Sequence, residues 1–136
     1  MNFQLPIPTP ETRRFWDDAK LGRLTISYCL DTGRYFFYPR PVSPYTGTTN
    51  VEWRTISGRG RLHSYIINHR PLPGRNVVSP IIALVKLEEG PSMMSNIVDV
   101  LPEPDYLVLD MPLEVRFRQV SPEITLPVFA PATEVA

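Results

Sequence analysis

Cys29, Thr32, Ser43 and Thr46 stand where two metal-binding knuckles would place their ligands. Cys29-Leu30-Asp31-Thr32-Gly33 and Ser43-Pro44-Tyr45-Thr46-Gly47 repeat one pattern: a first position, two residues, a second position, then Gly. A tetrahedral structural zinc takes four deprotonated N or S ligands at such spacing. One thiol and three hydroxyls do not meet that requirement, so zinc is not expected here, although both glycines still suit the tight turns. As a nucleophile, Cys29 would need a base or a cation to lower its pKa. Arg34 and Arg40 are near it in sequence and no histidine is, so it reads as a leftover ligand position. A set of Cys29, Asp31 and a distant histidine lacks any ordinary ligand spacing.

His63 and His69 are six apart, which puts them on one face of an extended strand. A catalytic pair would need an acid or nucleophile beside it. None is at hand, because Trp53 to Leu87 contains no Asp or Glu. No catalytic residue is assigned. The same window carries Arg54, Arg59, Arg61, Arg70, Arg75 and Lys86. Guanidinium groups suit phosphates and carboxylates. Arg59, Arg61, His69, Arg70 and Arg75 are therefore candidates for binding an anion. The competing reading is a solvated strand face whose acidic neighbours come from other strands. Between the knuckles and within the second, Tyr35, Phe36, Phe37, Tyr38 and Tyr45 form a dense aromatic group. With Arg40 they are candidates either to pack the two turns together or to meet a partner.

The elements that would carry these groups follow from punctuation. Thr9 is a suitable N-cap and Pro10 a suitable first helical residue. Phe15, Trp16 and Ala19 form an apolar stripe, and Gly22 is a stop signal. A helix is predicted over 10–21 and a strand over 24–28. Strands follow at 51–57, 61–69, 80–87, 93–100, 113–118 and 124–129, with a bulge or close backbone approach at Gly58-Arg59-Gly60. The run Pro80 to Leu87 is nearly all apolar, as in a strand buried on both faces. Of Met93 and Met94, one should face the core and the other the surface. Residues 72–76 read as a loop, and the end of the chain as a mobile tail. These six strand candidates after the knuckles, with no long helical pattern between them, suit a small five-stranded barrel of the OB type, with a two-sheet sandwich as the alternative. The class is mainly β (α+β), divided as 1–23 for the lead and helix, 24–50 for the ribbon, and 51–136 for the barrel and tail.

The chain has 136 residues, a formal net charge of zero, one cysteine and 16 prolines. One cysteine excludes an internal disulfide. The proline content disfavours a helical bundle. No apolar run is long enough for a membrane span or placed as a signal peptide, which makes a cytoplasmic protein the expectation.

Four segments in order give the chain a resemblance over most of its length. They are the ribbon skeleton 29–47; Gly58-Arg59-Gly60-Arg61-Leu62-His63-Ser64-Tyr65 with His69-Arg70-Pro71; Ala83 to Pro91 followed by Met93-Met94-Ser95-Asn96; and Gln119 to Ala132. The chain resembles a family of small acyl-CoA-associated proteins with an N-terminal helix, a rubredoxin-like zinc ribbon and a C-terminal OB fold. It departs from that family at three of the four metal positions. The resemblance implies a non-catalytic subunit beside a thiolase-fold enzyme (thiolase, acyltransferase or retro-aldolase) acting on CoA thioesters. The catalytic cysteine and histidine would then belong to the partner, and acyl-CoA would be a possible ligand. An enoyl-CoA hydratase is the alternative partner. An OB-type nucleic-acid module is the alternative class, disfavoured by the neutral total charge and the acidic second half. A free-standing enzyme is the third reading.

Overall fold

A computed structural model describes residues 5–70 and 78–132. The predicted loop 72–76, Arg75 within it, and the tail from residue 133 lie outside the described residues. The helix α1 spans Arg13–Lys20, later than predicted. Thr9 and Pro10 belong to a preceding turn in which the Thr12 backbone N–H donates to the Thr9 carbonyl (3.0 Å), and Thr12 takes the N-cap position. The end was read correctly. Gly22 has φ +77°, and its N–H and that of Arg23 donate back to the carbonyls of Ala19 and Asp18, the Schellman arrangement. The helix buries Phe15, Asp18 and Ala19.

Strands β1 (Thr25–Cys29), β2 (Arg34–Phe36) and β3 (Val51–Thr55) form an antiparallel sheet in the order β2-β1-β3. The second sheet contains β4 (Arg59–Ile67), β5 (Ile81–Leu87), β6 (Ser92–Asn96), β7 (Pro112–Gln119) and β8 (Thr125–Pro131), in the order β6-β5-β4-β7-β8. A parallel bridge from Ile97 to Phe129 joins its two ends, so the sheet curls into a nearly closed five-stranded barrel rather than a sandwich. Phe129, Leu62, Ile81, Val85, Leu113 and Ile97 fill the interior. Phe15, Leu24 and Ile26 extend the same core beneath the ribbon sheet.

Two expectations about the barrel need correction, and a third resolves to one of its two options. β5 is not buried on both faces. Ile81, Ala83, Val85 and Leu87 point inward, while Ile82 and Leu84 are half-buried and Lys86 is exposed. The bulge falls between Leu62 and Ser64, not at the glycines. Gly58 and Gly60 instead mark the close approach that was the other option. A Cβ on Gly60 would lie 2.7 Å from the Lys86 carbonyl oxygen, and one on Gly58 would collide with Val115. Finally, the bulge and the end of β4 at Ile67 separate His63 from His69, so no single strand face carries both. Among the described residues no helix is long and apolar enough to cross a membrane.

Candidate functional site

The knuckles close on themselves. Cys29 and Ser43 are both buried, and the Ser43 hydroxyl donates to the Cys29 sulfur at 3.1 Å. Burial pushes the Cys29 thiol up. Hydrogen bonds from Ser43, from the Thr32 hydroxyl and from the backbone of Thr32 and Asp31 outweigh it, and the thiol is lowered from 9.0 to about 7. Three of the four ligand positions thus meet at one sulfur. The fourth, Thr46, turns to Asp31, whose carboxylate also accepts from Thr48 (2.6 Å) and Asn50 (2.8 Å). Those donors hold the Asp31 carboxyl below its ordinary range. The donor set does not fit a structural zinc: the hydroxyls are weak ligands, and Ser43 and Thr46 already serve the chain's own acceptors. Among the described residues no group of three His, Cys, Asp or Glu side chains could hold a metal.

The aromatic group ties the knuckles together and then leaves them. Phe36 is buried and stands edge-on to Tyr45, with centroids 6.2 Å apart. The Tyr45 hydroxyl donates to the Tyr35 carbonyl (3.0 Å), and the Arg34 guanidinium caps the Tyr45 ring at 3.9 Å. Tyr35 meets Tyr28 edge-on at 4.8 Å. Phe37 packs on Phe15, whereas Tyr38 projects outward, 59% exposed. Arg40 is exposed at a crevice it shares with Glu11, Ser27 and Trp53.

The basic candidates among the described residues do not converge on one spot. Arg59 and Arg61 lie at the start of β4, lining a shallow depression with Lys86 and Glu88. Arg59 pairs with Glu88 at 2.7 Å, which raises the arginine and lowers the glutamate. The Arg61 guanidinium donates to the Asp110 carbonyl at 2.9 Å. His69 and Arg70 lie beyond the far end of β4, about 25 Å away at ~3.4 Å per residue.

The surface that sequence reasoning missed is apolar. Outside the barrel, Ile66 pairs with Ile82, Ser64 with Leu84 and Leu84 with Met94, forming one face across β4, β5 and β6. Ile66 and Met94 are each 61% exposed. Met94 also lines a cleft of about 240 Å³, with Phe15, Trp16, Phe37, Tyr38 and Leu126 among its other walls. The cleft draws on the helix, the ribbon's exit and both barrel strands β6 and β8, which no local pattern could have joined. The one available signal was the pair Met93-Met94. Its outcome was anticipated: Met93 is in the core and Met94 is on the surface.

Comparison with known proteins gives consistent matches. The family model described as the rubredoxin-like zinc ribbon domain of ChsH2 matches residues 16–45, and that of the ChsH2 C-terminal OB-fold domain matches 53–118. A DUF35 domain-containing scaffold protein of Methanothermobacter thermautotrophicus is 35% identical over 116 residues, covering 83% of this chain and 86% of that protein. A probable enoyl-CoA hydratase alpha subunit of Thermomonospora curvata is 34% identical over 131 residues, 92% of this chain. The chain spans only 40% of that protein's length. Among solved structures, one described as "Ltp2-ChsH2(DUF35) aldolase" superposes with a TM-score of 0.82 at 30% identity, covering 95% of this chain and all of the other.

Proposed function

The chain belongs to the family of ChsH2-type, DUF35 scaffold proteins, and from this we propose that it is a non-catalytic accessory subunit of a thiolase-type enzyme acting on CoA thioesters. One observation carries the reading. The outer face of β5 and β6, which OB barrels use to recognise their ligands, is here an exposed apolar surface. Such a surface suits a protein partner. Among the described residues, the outward positions of β5 and β6 present Ile82, Leu84 and Met94 rather than the row of stacking rings that single-stranded nucleic acid uses.

Chemistry in this reading sits in the partner. Cys29 is buried with Ser43 and Thr32 as its hydrogen-bond donors, and His63 stands exposed on a bulge, with no ion pair to an acid among the described residues. The thiolase-type class of the partner is what the resemblance in sequence implies. The neighbouring structure's description, which joins a ChsH2 DUF35 part to Ltp2 in an aldolase, favours an enzyme of carbon–carbon bond chemistry. We extend the proposal to contact between the exposed His69–Arg70 end of the barrel and the phosphates of acyl-CoA. A resident zinc is no part of it, because the donor set is wrong for one.

The test is reconstitution. The chain alone should show no turnover of acyl-CoA substrates. Mixed with a thiolase-type subunit of the same organism, it should co-elute at a fixed ratio and raise that subunit's activity or stability. Turnover by the chain alone, or no association, ends the reading. Titration of acyl-CoA into the complex, with and without Arg70→Ala, checks the ligand contact; equal affinity removes that extension. A second reading has one observation behind it, the similarity to a hydratase alpha subunit. The same mixing experiment with a hydratase subunit separates the two.

A further inference from the structure

We propose that the outer face of β4–β6 and the cleft beyond Met94 form one continuous docking surface for the partner subunit. That subunit would place a single apolar anchor side chain in the cleft and carboxylates against Arg61 and Lys86. This rests on the accessory-subunit reading and names the surface through which it operates.

The bulge at His63 builds the surface. Before it, Arg59 and Arg61 point outward and Leu62 inward. Strict alternation would next turn Tyr65 and Ile67 outward and Ile66 inward. The extra residue resets the count: Ser64 faces Leu84, and Ile66 joins Ile82 on the outside. Tyr65 and Ile67 pack against the core instead. An isoleucine is thereby displayed at 61% exposure, across β5 from an equally exposed methionine. Together with Ile82 and Leu84 they make a contiguous apolar patch, the kind of surface that marks an interaction site.

Three features decide what covers it. Size comes first. At about 240 Å³ the cleft lies below the roughly 300–1,000 Å³ typical of small-molecule sites. It suits one anchor side chain of a protein hot spot better than a whole ligand. Polarity is second. Two polar side chains in the cleft wall are already engaged: the Ser95 hydroxyl donates to the Pro127 carbonyl (2.9 Å), and the Asn96 amide donates to the carbonyls of Ser79 and Ile81 (3.2 and 3.1 Å). The Thr12 hydroxyl is bonded to Thr9 as well, so few side-chain donors among the described residues lining the cleft, the Tyr38 hydroxyl among them, are left for a thioester or phosphate.

Charge is third. Arg61 pairs with Lys86 across the strands, one outward row from Ser64 and Leu84. Neither forms an ion pair among the described residues, whereas Arg59 beyond them is neutralised by Glu88. An apolar patch with two uncompensated cations at one edge is complementary to an apolar patch edged with carboxylates. Ile82 to Lys86 spans about 13 Å at ~3.3 Å per residue, so one partner patch can reach both ends.

The experiment measures affinity for the thiolase-type subunit by biolayer interferometry at 50 and 200 mM salt (roughly the range over which Debye screening changes). Met94→Glu and Ile66→Glu alter exposed positions and should leave the melting temperature within a few degrees. Each should weaken binding by at least about 30-fold. Arg61→Glu with Lys86→Glu should slow association about tenfold at low salt and less at high salt. Val108→Glu, on an equally exposed apolar side chain in the β6–β7 connection, should change nothing.

Wild-type affinity in both Met94→Glu and Ile66→Glu, or loss of binding in Val108→Glu alone, overturns the surface while the accessory reading stands. Met94-dependent binding to a hydratase subunit but not to a thiolase-type one supports the surface and overturns the thiolase reading. A Met94-dependent dimer of the chain by itself, a Met94-dependent complex with a single-stranded oligonucleotide, or no binding to either subunit overturns the surface.

Discussion

The knuckles and the outer barrel face handle polarity in opposite ways. At the knuckles the hydroxyls at former ligand positions find acceptors inside the chain: Ser43 bonds to Cys29, Thr32 bonds to the same sulfur, and Thr46 with Thr48 bonds to Asp31. On the barrel face the side chains that look outward, Ile66, Ile82, Leu84 and Met94, have no such closure and leave apolar surface in water. A region whose groups satisfy one another contributes stability and has little left to offer a ligand. A region that leaves surface uncompensated costs stability when alone and gains on contact with something else. The knuckles attract attention in the sequence, but the proposed docking surface lies on the barrel.

The contrast predicts where substitutions will be felt. The largest effect should come from Phe36→Ala, which empties a buried aromatic position between β2 and the second knuckle. Truncation of a buried phenylalanine costs about 3–5 kcal/mol. Thermal unfolding should fall by roughly 10 °C or more, and a chelator added to the wild type should leave it unchanged. A small shift for Phe36→Ala would mean that the rings do not hold the knuckles. Next comes Gly60→Ala. Its Cβ would press into the Lys86 carbonyl and Val85, both packed, so β4 would have to move. Overpacking of this kind costs about 1–3 kcal/mol. The variant should also weaken partner binding, because β4 carries Ile66. Unchanged stability would show that β4 can yield at the Gly60 approach.

The ease of reading the two regions from sequence was the reverse of their proposed importance. The helix end, the two knuckle turns and the order of strands were readable because each has local chemistry: Gly22 and Gly33 at positive φ, alternation in Leu113–Phe117, turn residues at Glu88-Glu89-Gly90-Pro91. The helix start was placed too early because Thr9-Pro10 fits an N-cap so well. The chain uses them for a turn of its own instead. The apolar face was not readable. It depends on a single inserted residue at His63 that changes which of Tyr65 and Ile66 faces outward, and sequence alone gives no parity mark for that. The run Ile81 to Leu87 concealed it further, since an apolar residue on an interaction face looks the same as one in a core. The basic stretch left two readings open, an anion site and a solvated strand face, and sequence could not show that Arg59 starts β4 while His69 lies beyond its far end.

A smaller effect belongs to Ser43→Ala, and its diagnostic value lies in pH. The substitution removes the donor to Cys29 and the acceptor for the Tyr45 N–H, a loss of about 1–2 kcal/mol. Cys29 is an acid whose folded pKa, about 7, lies below its ordinary 9.0. Its contribution to stability is therefore absent below pH 7, grows between pH 7 and 9, and is complete above 9. The melting temperature of the wild type, relative to Cys29→Ala, should rise across that window. Ser43→Ala should flatten the rise by returning the thiol toward its ordinary value. A pH-independent difference between wild type and Cys29→Ala would show that the knuckle does not favour the thiolate.

The smallest effect on stability should come from the face where binding is expected to suffer most. Met94→Ser and Ile66→Ser remove side chains that are mostly in water, so each should change unfolding free energy by less than about 0.5 kcal/mol. The reason is specific to the geometry. Neither side chain reaches the interior: Met93 fills the core beside Met94, and Tyr65 and Ile67 do so on either side of Ile66. If the face exists for contact, these two serine variants should be at least as soluble as the wild type and no less stable, while losing the partner. A loss of several kcal/mol in either would mean that the outward residues brace the barrel itself. The contrast between a closed ribbon and an open face would then fail at the position on which it depends most.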